Sequence, residues 1–373
     1  MSSIRDVFQA GVWWSVHILV AIAAVVEADV SYADDGAKPF TIGSILILSG
    51  EGAATGTASQ RGIDMAIETI NARGGVLGRQ WTVAHQDDQG DPKRTISAFR
   101  ELTEVQKVRF IIGPTWSHVA IPIIPMAKRT RTLMISPSLG VASFNEAHEY
   151  LFNTWPHDSL LSRKLAEYVF DRGHRDIALI GAEHIWVKEQ TEAFSSRFEE
   201  LGGRIVYLAE PLPGTSDLRL QAARIKHIKK VDALVSTTDG VIIGSLLAKA
   251  LKELGVALPI YSITLDQQAI DAAQGGFEGM EFLTFLTPTG EFEKSYQQRY
   301  GTPVDIGADS AYDAVMLLAD AVARAGSDDP DAVAQALASV KQYQGASGVL
   351  HADGKRGFEK PYALRRVVNG VPQ

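Results

Sequence analysis

Beyond about residue 34 the chain alternates short runs rich in β-branched and aromatic residues with longer runs whose apolar positions recur every three or four residues. This is the pattern of parallel strands joined by crossover helices. A first series of strands is predicted at 41–48, 81–86, 108–112 and 132–135, and a second at 176–181, 204–208, 231–236, 259–263 and 279–286. Between the first strands, segment 58–72 puts Ile63, Ala66, Ile67 and Ile70 on one face and stops at Gly74-Gly75. Asp91-Pro92 supplies an N-cap and a first-turn proline for the next helix. Helical patterns recur at 117–130, 159–172, 183–201, 218–228 and 240–254. Two separated series predict an α/β protein of two doubly wound lobes.

The pattern lapses at 153–157, 284–287 and 343–349. The helical segments after the second lapse (291–300, 308–325 and 330–340) have no lobe of their own to bury them, so they are expected to return to the first. Residues 34–155 plus 286–344 then form lobe 1, and 156–285 plus 345–373 form lobe 2. Three crossovers between them favour hinge closure.

Residues 1–33 read as a signal peptide. Arg5 is followed by an apolar run from Gly11 to Val26 and by Ser31-Tyr32-Ala33, a small-x-small site with cleavage expected after Ala33. The run is shorter than the roughly 20 residues that span a bilayer. The mature protein is expected free in the periplasm, because no cysteine is present to carry a lipid anchor.

Composition narrows the chemistry. With 46% apolar residues among 373, two cores can be buried. A net charge of −8 without a basic run excludes a nucleic-acid partner. The lack of cysteine removes disulfides and thiolate catalysis, and no HExxH, GxSxG or Walker lysine occurs. Neither an enzyme nor a cofactor is expected. Gly50-Glu51-Gly52 with Gly56 follows the first strand as a dinucleotide fingerprint does, but the spacing is GxGxxxG, and Asp87 lies further on than the roughly 20 residues such sites use. A dinucleotide-dependent enzyme is therefore the lesser alternative. Asp87, Asp88 and Asp91 read as a solvated turn with a helix cap, not a metal site.

What remains are polar residues at strand ends. Ser117 follows the 108–112 strand at a helix start, where a hydroxyl and free backbone N–H groups suit an anionic oxygen or serve as an ordinary N-cap. Ser138 has the same ambiguity after the next strand. In the second series Trp186 follows one strand, Thr237, Thr238 and Asp239 another, and Thr264 and Asp266 a third. An aromatic wall opposite small polar donors is how a cleft encloses a small solute.

These residues, in order, resemble the type I periplasmic binding proteins of the branched-chain amino-acid (Leu/Ile/Val-binding) group over nearly the whole mature length. The carriers are Ile42-Gly43 to Leu48-Ser49-Gly50, Gly62-Ile63 to Ile70-Asn71, Gly74-Gly75-Val76-Leu77-Gly78, Asp87-Asp88 with Asp91-Pro92, Ile111-Ile112-Gly113-Pro114, Met134-Ile135-Ser136-Pro137-Ser138, and Gly345 through Gly348 to Asp353-Gly354. The resemblance implies two Rossmann-like lobes joined by three crossovers and a monomer that delivers a small ligand to the permease of an ABC importer. It implies that Ser117 takes a ligand carboxylate, that Ser138, Leu139 and Gly140 form a contact loop, that Trp186 lines the cleft, and that Thr238 or Asp239 supplies the next contact. The group's acid for a ligand ammonium has Thr264 in its place here, with Asp266 two residues on. An amino acid or a related small carboxylate or amide is the expected ligand, and a sensory domain of the same fold is the alternative within the binding class.

Overall fold

Phe40–Leu46 (β1), Trp81–Asp87 (β2), Phe110–Ile112 (β3), Leu133–Ser136 (β4) and Leu151–Asn153 (β5) pair in parallel in the order β2-β1-β3-β4-β5. The computed structural model describes residues 38–373 except 51, 213, 239–242, 266, 287 and 289, so the expected signal peptide lies outside the described residues. Side-chain alternation divides this sheet into two buried faces. Ile42, Leu46, Phe110, Ile112, Leu133 and Ile135 share one core, whereas Ile45, Ile111 and Met134 share the other with Phe99, Leu102 and Ile123. Strands buried on both faces read as continuous apolar runs, which is why they stand out in the sequence.

Asp176–Ile180 (β6), Arg204–Ala209 (β7), Ala233–Ser236 (β8), Ile260–Ile263 (β9) and Glu281–Phe285 (β10) repeat that order as β7-β6-β8-β9-β10, again parallel. The two lobes are therefore the same doubly wound unit. The helices Ala308–Ala325 and Pro330–Ala338 do return to the first sheet, with Ala314, Leu318, Val322, Val333 and Leu337 in its core.

Three features differ from expectation. The single helix expected over 117–130 is broken into Ser117–Ala120, a 3₁₀ turn Ile121–Ile123, and Ile124–Thr130. Pro122 and Pro125 cause this, since each lacks an N–H and its ring crowds the preceding turn. The lapse at 343–349 is not a crossover but a hairpin of Gln342–Gly345 (β11) and Gly348–Ala352 (β12), extended by Phe358–Glu359 (β13). Leu350 and Phe358 bury in the first sheet's core, so this segment stays with lobe 1. The chain joins the second sheet only at Tyr362–Val368 (β14), which pairs antiparallel with β10, followed by Val371–Pro372 (β15). The third passage is thus Lys360-Pro361.

Candidate functional site

Open sheets of this order hold ligands at the carboxyl ends of their strands, beside the switch point between the first and third strands. In the first sheet that edge is built by the loops after β1, β3 and β4. Gly52, at φ +87°, starts the helix Ala53–Ala72, and the Trp116 indole lies where a Cβ on Gly52 would be. Thr115 binds the loops together: its hydroxyl oxygen accepts from Ile47 N–H at 3.1 Å, and its carbonyl accepts from the Ser138 hydroxyl at 2.9 Å.

Ser117 and Ser138 differ in a way their sequence contexts conceal. Trp116, not Ser117, holds the N-cap position of Ser117–Ala120. Ser117 is the first helical residue, 5% exposed, and its hydroxyl has no hydrogen-bond partner among the described residues. The Ser138 hydroxyl is committed to Thr115 O, leaving the loop's backbone as its outward chemistry. Leu139 is buried, with its N–H on Ser136 Oγ and its carbonyl accepting from Asn153 Nδ2. Gly140 O accepts from Asp158 N–H at 3.0 Å, and any Cβ on Gly140 would collide with the Asp158 carboxylate.

From the second sheet, Trp186 is the second residue of the helix Ile185–Glu200 and packs against core side chains of both lobes. Its Nε1–H donates to Asp158 Oδ2 at 2.7 Å. Three residues on, Glu189 Oε1 accepts from Ala142 N–H of the first lobe at 3.1 Å. The rings of His118 and His184 meet edge to face at 5.6 Å, and His118 Nε2 is 3.1 Å from Gly90 O. Burial, and secondarily His118, holds His184 below the ordinary histidine range. The two strand-end edges therefore touch.

Thr238 is fully buried, its hydroxyl 3.0 Å from Ser236 Oγ. Thr264 adopts φ +40°, and its buried Oγ1 has no partner among the described residues. Asp239 and Asp266 lie outside the described residues. Of the sequence-derived candidates, the structure brings Gly140 and Trp186 together around Asp158, with Ser117 on the helix that packs against the Trp186 helix. Asp158, Trp155, Trp116, His118 and His184 escaped the sequence reading, because only three-dimensional proximity distinguishes them from ordinary helix and loop residues.

A family model described as "Periplasmic binding protein" matches residues 39–371. Leu/Ile/Val-binding protein homolog 3 of Brucella melitensis is 28% identical over 342 residues, covering 89% of this chain and 90% of that protein. Two solved structures share the fold. The branched-chain amino acid transporter substrate-binding protein LivJ of Streptococcus pneumoniae, in complex with isoleucine, has a TM-score of 0.80 at 24% identity, covering 90% of this chain and 98% of that one. An ABC-transporter solute-binding protein of R. palustris, in complex with benzoate, has a TM-score of 0.77 at 19% identity, covering 90% and 95%.

Proposed function

The chain belongs to the periplasmic binding protein family, and from that premise we propose that it binds an amino acid or a related small carboxylate between its lobes and delivers it, as an exported monomer, to an ABC importer. The observation that carries the ligand class is Ser117, a residue 5% exposed at a helix start whose hydroxyl bonds to no described residue and is not sealed from solvent. A hydroxyl held that way is an available donor for a carboxylate oxygen. The Ser138–Gly140 loop adds backbone groups, Trp186 an aromatic wall, and Thr238, Asp239 and Asp266 the contacts from the second lobe. The isoleucine and benzoate complexes of the two structural neighbours support a carboxylate as the common element.

A thermal-shift screen over amino acids, amides and aromatic acids tests this reading. A ligand specific for the folded state stabilises it by about 2.7 kcal/mol at a hundredfold excess over its Kd. Ser117→Ala is expected to weaken binding of that ligand by about 0.5–1.5 kcal/mol, measured by calorimetry. If no carboxylate stabilises the protein, or if Ser117→Ala leaves affinity intact while lowering Tm, the reading fails.

A further inference from the structure

Two tryptophans share one carboxylate. Asp158 Oδ1 accepts from Trp155 Nε1–H at 3.0 Å and Oδ2 from Trp186 Nε1–H at 2.7 Å, while its own backbone N–H donates to Gly140 O. These partners come from three places: Trp155 from the first crossover, Gly140 from the loop after β4, and Trp186 from the helix after β6. Asp158 is 4% exposed and has no ion-pair partner among the described residues. The charged groups acting on it are Glu189, on the Trp186 helix, and Lys360, whose ammonium lies 4.6 Å from the Trp155 ring centre.

Building on the reading of Gly140 and Trp186 as cleft residues, we propose that Asp158 is a positioning residue for the binding site, its carboxylate fixing the Trp186 indole against the Gly140 loop and its protonation releasing that hold. The reason lies in acceptor count. A carboxylate offers each indole an oxygen, whereas a carboxylic acid keeps one good acceptor and gains a hydroxyl donor for which no acceptor is provided. Two N–H donors then compete for one oxygen. Burial opposes the charge and the indole bonds favour it; burial prevails, pushing the group up to about 7. The hold is complete above that pH and loosens below it.

The test uses ligand-free protein and follows the indole N–H resonances of Trp155 and Trp186 by NMR from pH 5 to 9, assigned with Trp155→Phe and Trp186→Phe. Both resonances are expected to move with one shared midpoint well above the ordinary carboxylate range, and the shared titration is expected to vanish in Asp158→Asn. A shared titration that survives in Asp158→Asn belongs to another group, such as His157, His184 or Glu189, and overturns the proposal, as does the absence of any shift in the wild type. Should Asp158→Asn fail to fold, Trp155→Phe decides alone: with one donor gone the anion is less favoured, so the Trp186 midpoint must rise, and an unchanged midpoint overturns the proposal. Binding of L-isoleucine and benzoate to Trp186→Ala addresses the cleft separately. A shared titration together with unaltered binding would remove the site reading and leave the tie between Asp158 and Trp186 in place.

Discussion

Lys360 Nζ lies 3.0 Å from Asp309 Oδ2, with the two side chains only 2% and 3% exposed. Lys360 stands in the third crossover, and Asp309 opens the helix that packs on the first sheet. The same ammonium covers the Trp155 ring in the first crossover, where the Thr154 hydroxyl donates to Ser310 O. Leu286 N–H, at the second crossover, donates to Pro361 O in the third. The three passages are thus bonded to one another and to lobe 1.

This pair predicts an asymmetric response to mutation. Lys360→Met strands a buried carboxylate and is expected to cost about 3–5 kcal/mol in urea unfolding. The double variant Lys360→Met/Asp309→Leu removes both charges and should recover most of that loss. Equal losses in the two proteins would show that packing, not an unpaired charge, sets the cost.

Gly140→Ala is predicted to break the contact between lobes. The new methyl meets the Asp158 carboxylate and Trp186 Nε1, and overpacking of a close contact costs typically about 1–3 kcal/mol. The lobes can relieve the clash by separating, so solution scattering should report a larger radius of gyration than for the wild type. An unchanged scattering profile with full stability would mean that this contact does not hold the cleft.

Stability should depend on pH through Asp313. Burial pushes this carboxyl up to about 6, against the Ser347 and Ala346 N–H groups that donate to it. Because the folded value lies above the unfolded one of about 3.9, the group's contribution is fully present below pH 4 and is lost as pH rises through 6. Measured against Asp313→Asn, wild-type stability should fall by on the order of 3 kcal/mol between pH 4 and pH 7. A pH-independent difference between the two proteins would refute the assignment.

Export is predicted to remove residues 1–33. Sequencing the native N-terminus should find Asp34, in a protein recovered from the soluble periplasmic fraction. Recovery from the membrane with Met1 or Ser2 at the start would contradict the signal-peptide reading.

Nine of the parallel strands were legible in residue order, each to within about two residues; most are runs buried on both faces, whose apolar signature depends only on local sequence, while β2 and β7 were marked by their β-branched and aromatic residues. The strands that went unseen are short, like β5, or poor in buried residues. β14 alternates exposed and half-buried residues over most of its length, and β11 does so throughout, so neither carries a continuous apolar run. Mistaking the β11–β12 hairpin for a crossover has the same origin, because Leu350 reveals its allegiance to lobe 1 only through contacts with residues far away in the chain.

The order of elements, the doubled doubly wound plan and the placing of polar residues at strand ends were determined by the sequence itself, through patterns of period two and 3.6 that any segment carries alone. Which of those polar residues is free, and which is engaged, was decided only by tertiary structure. Ser117 and Ser138 look alike in the chain, yet one hydroxyl has no partner among the described residues and the other is bonded to Thr115 O. Asp158 is an ordinary helix-start acid by sequence and a buried junction of two indoles in the fold. Hydrogen bonding depends on distances of about 3 Å between groups that may be any number of residues apart, and only the assembled lobes set those distances.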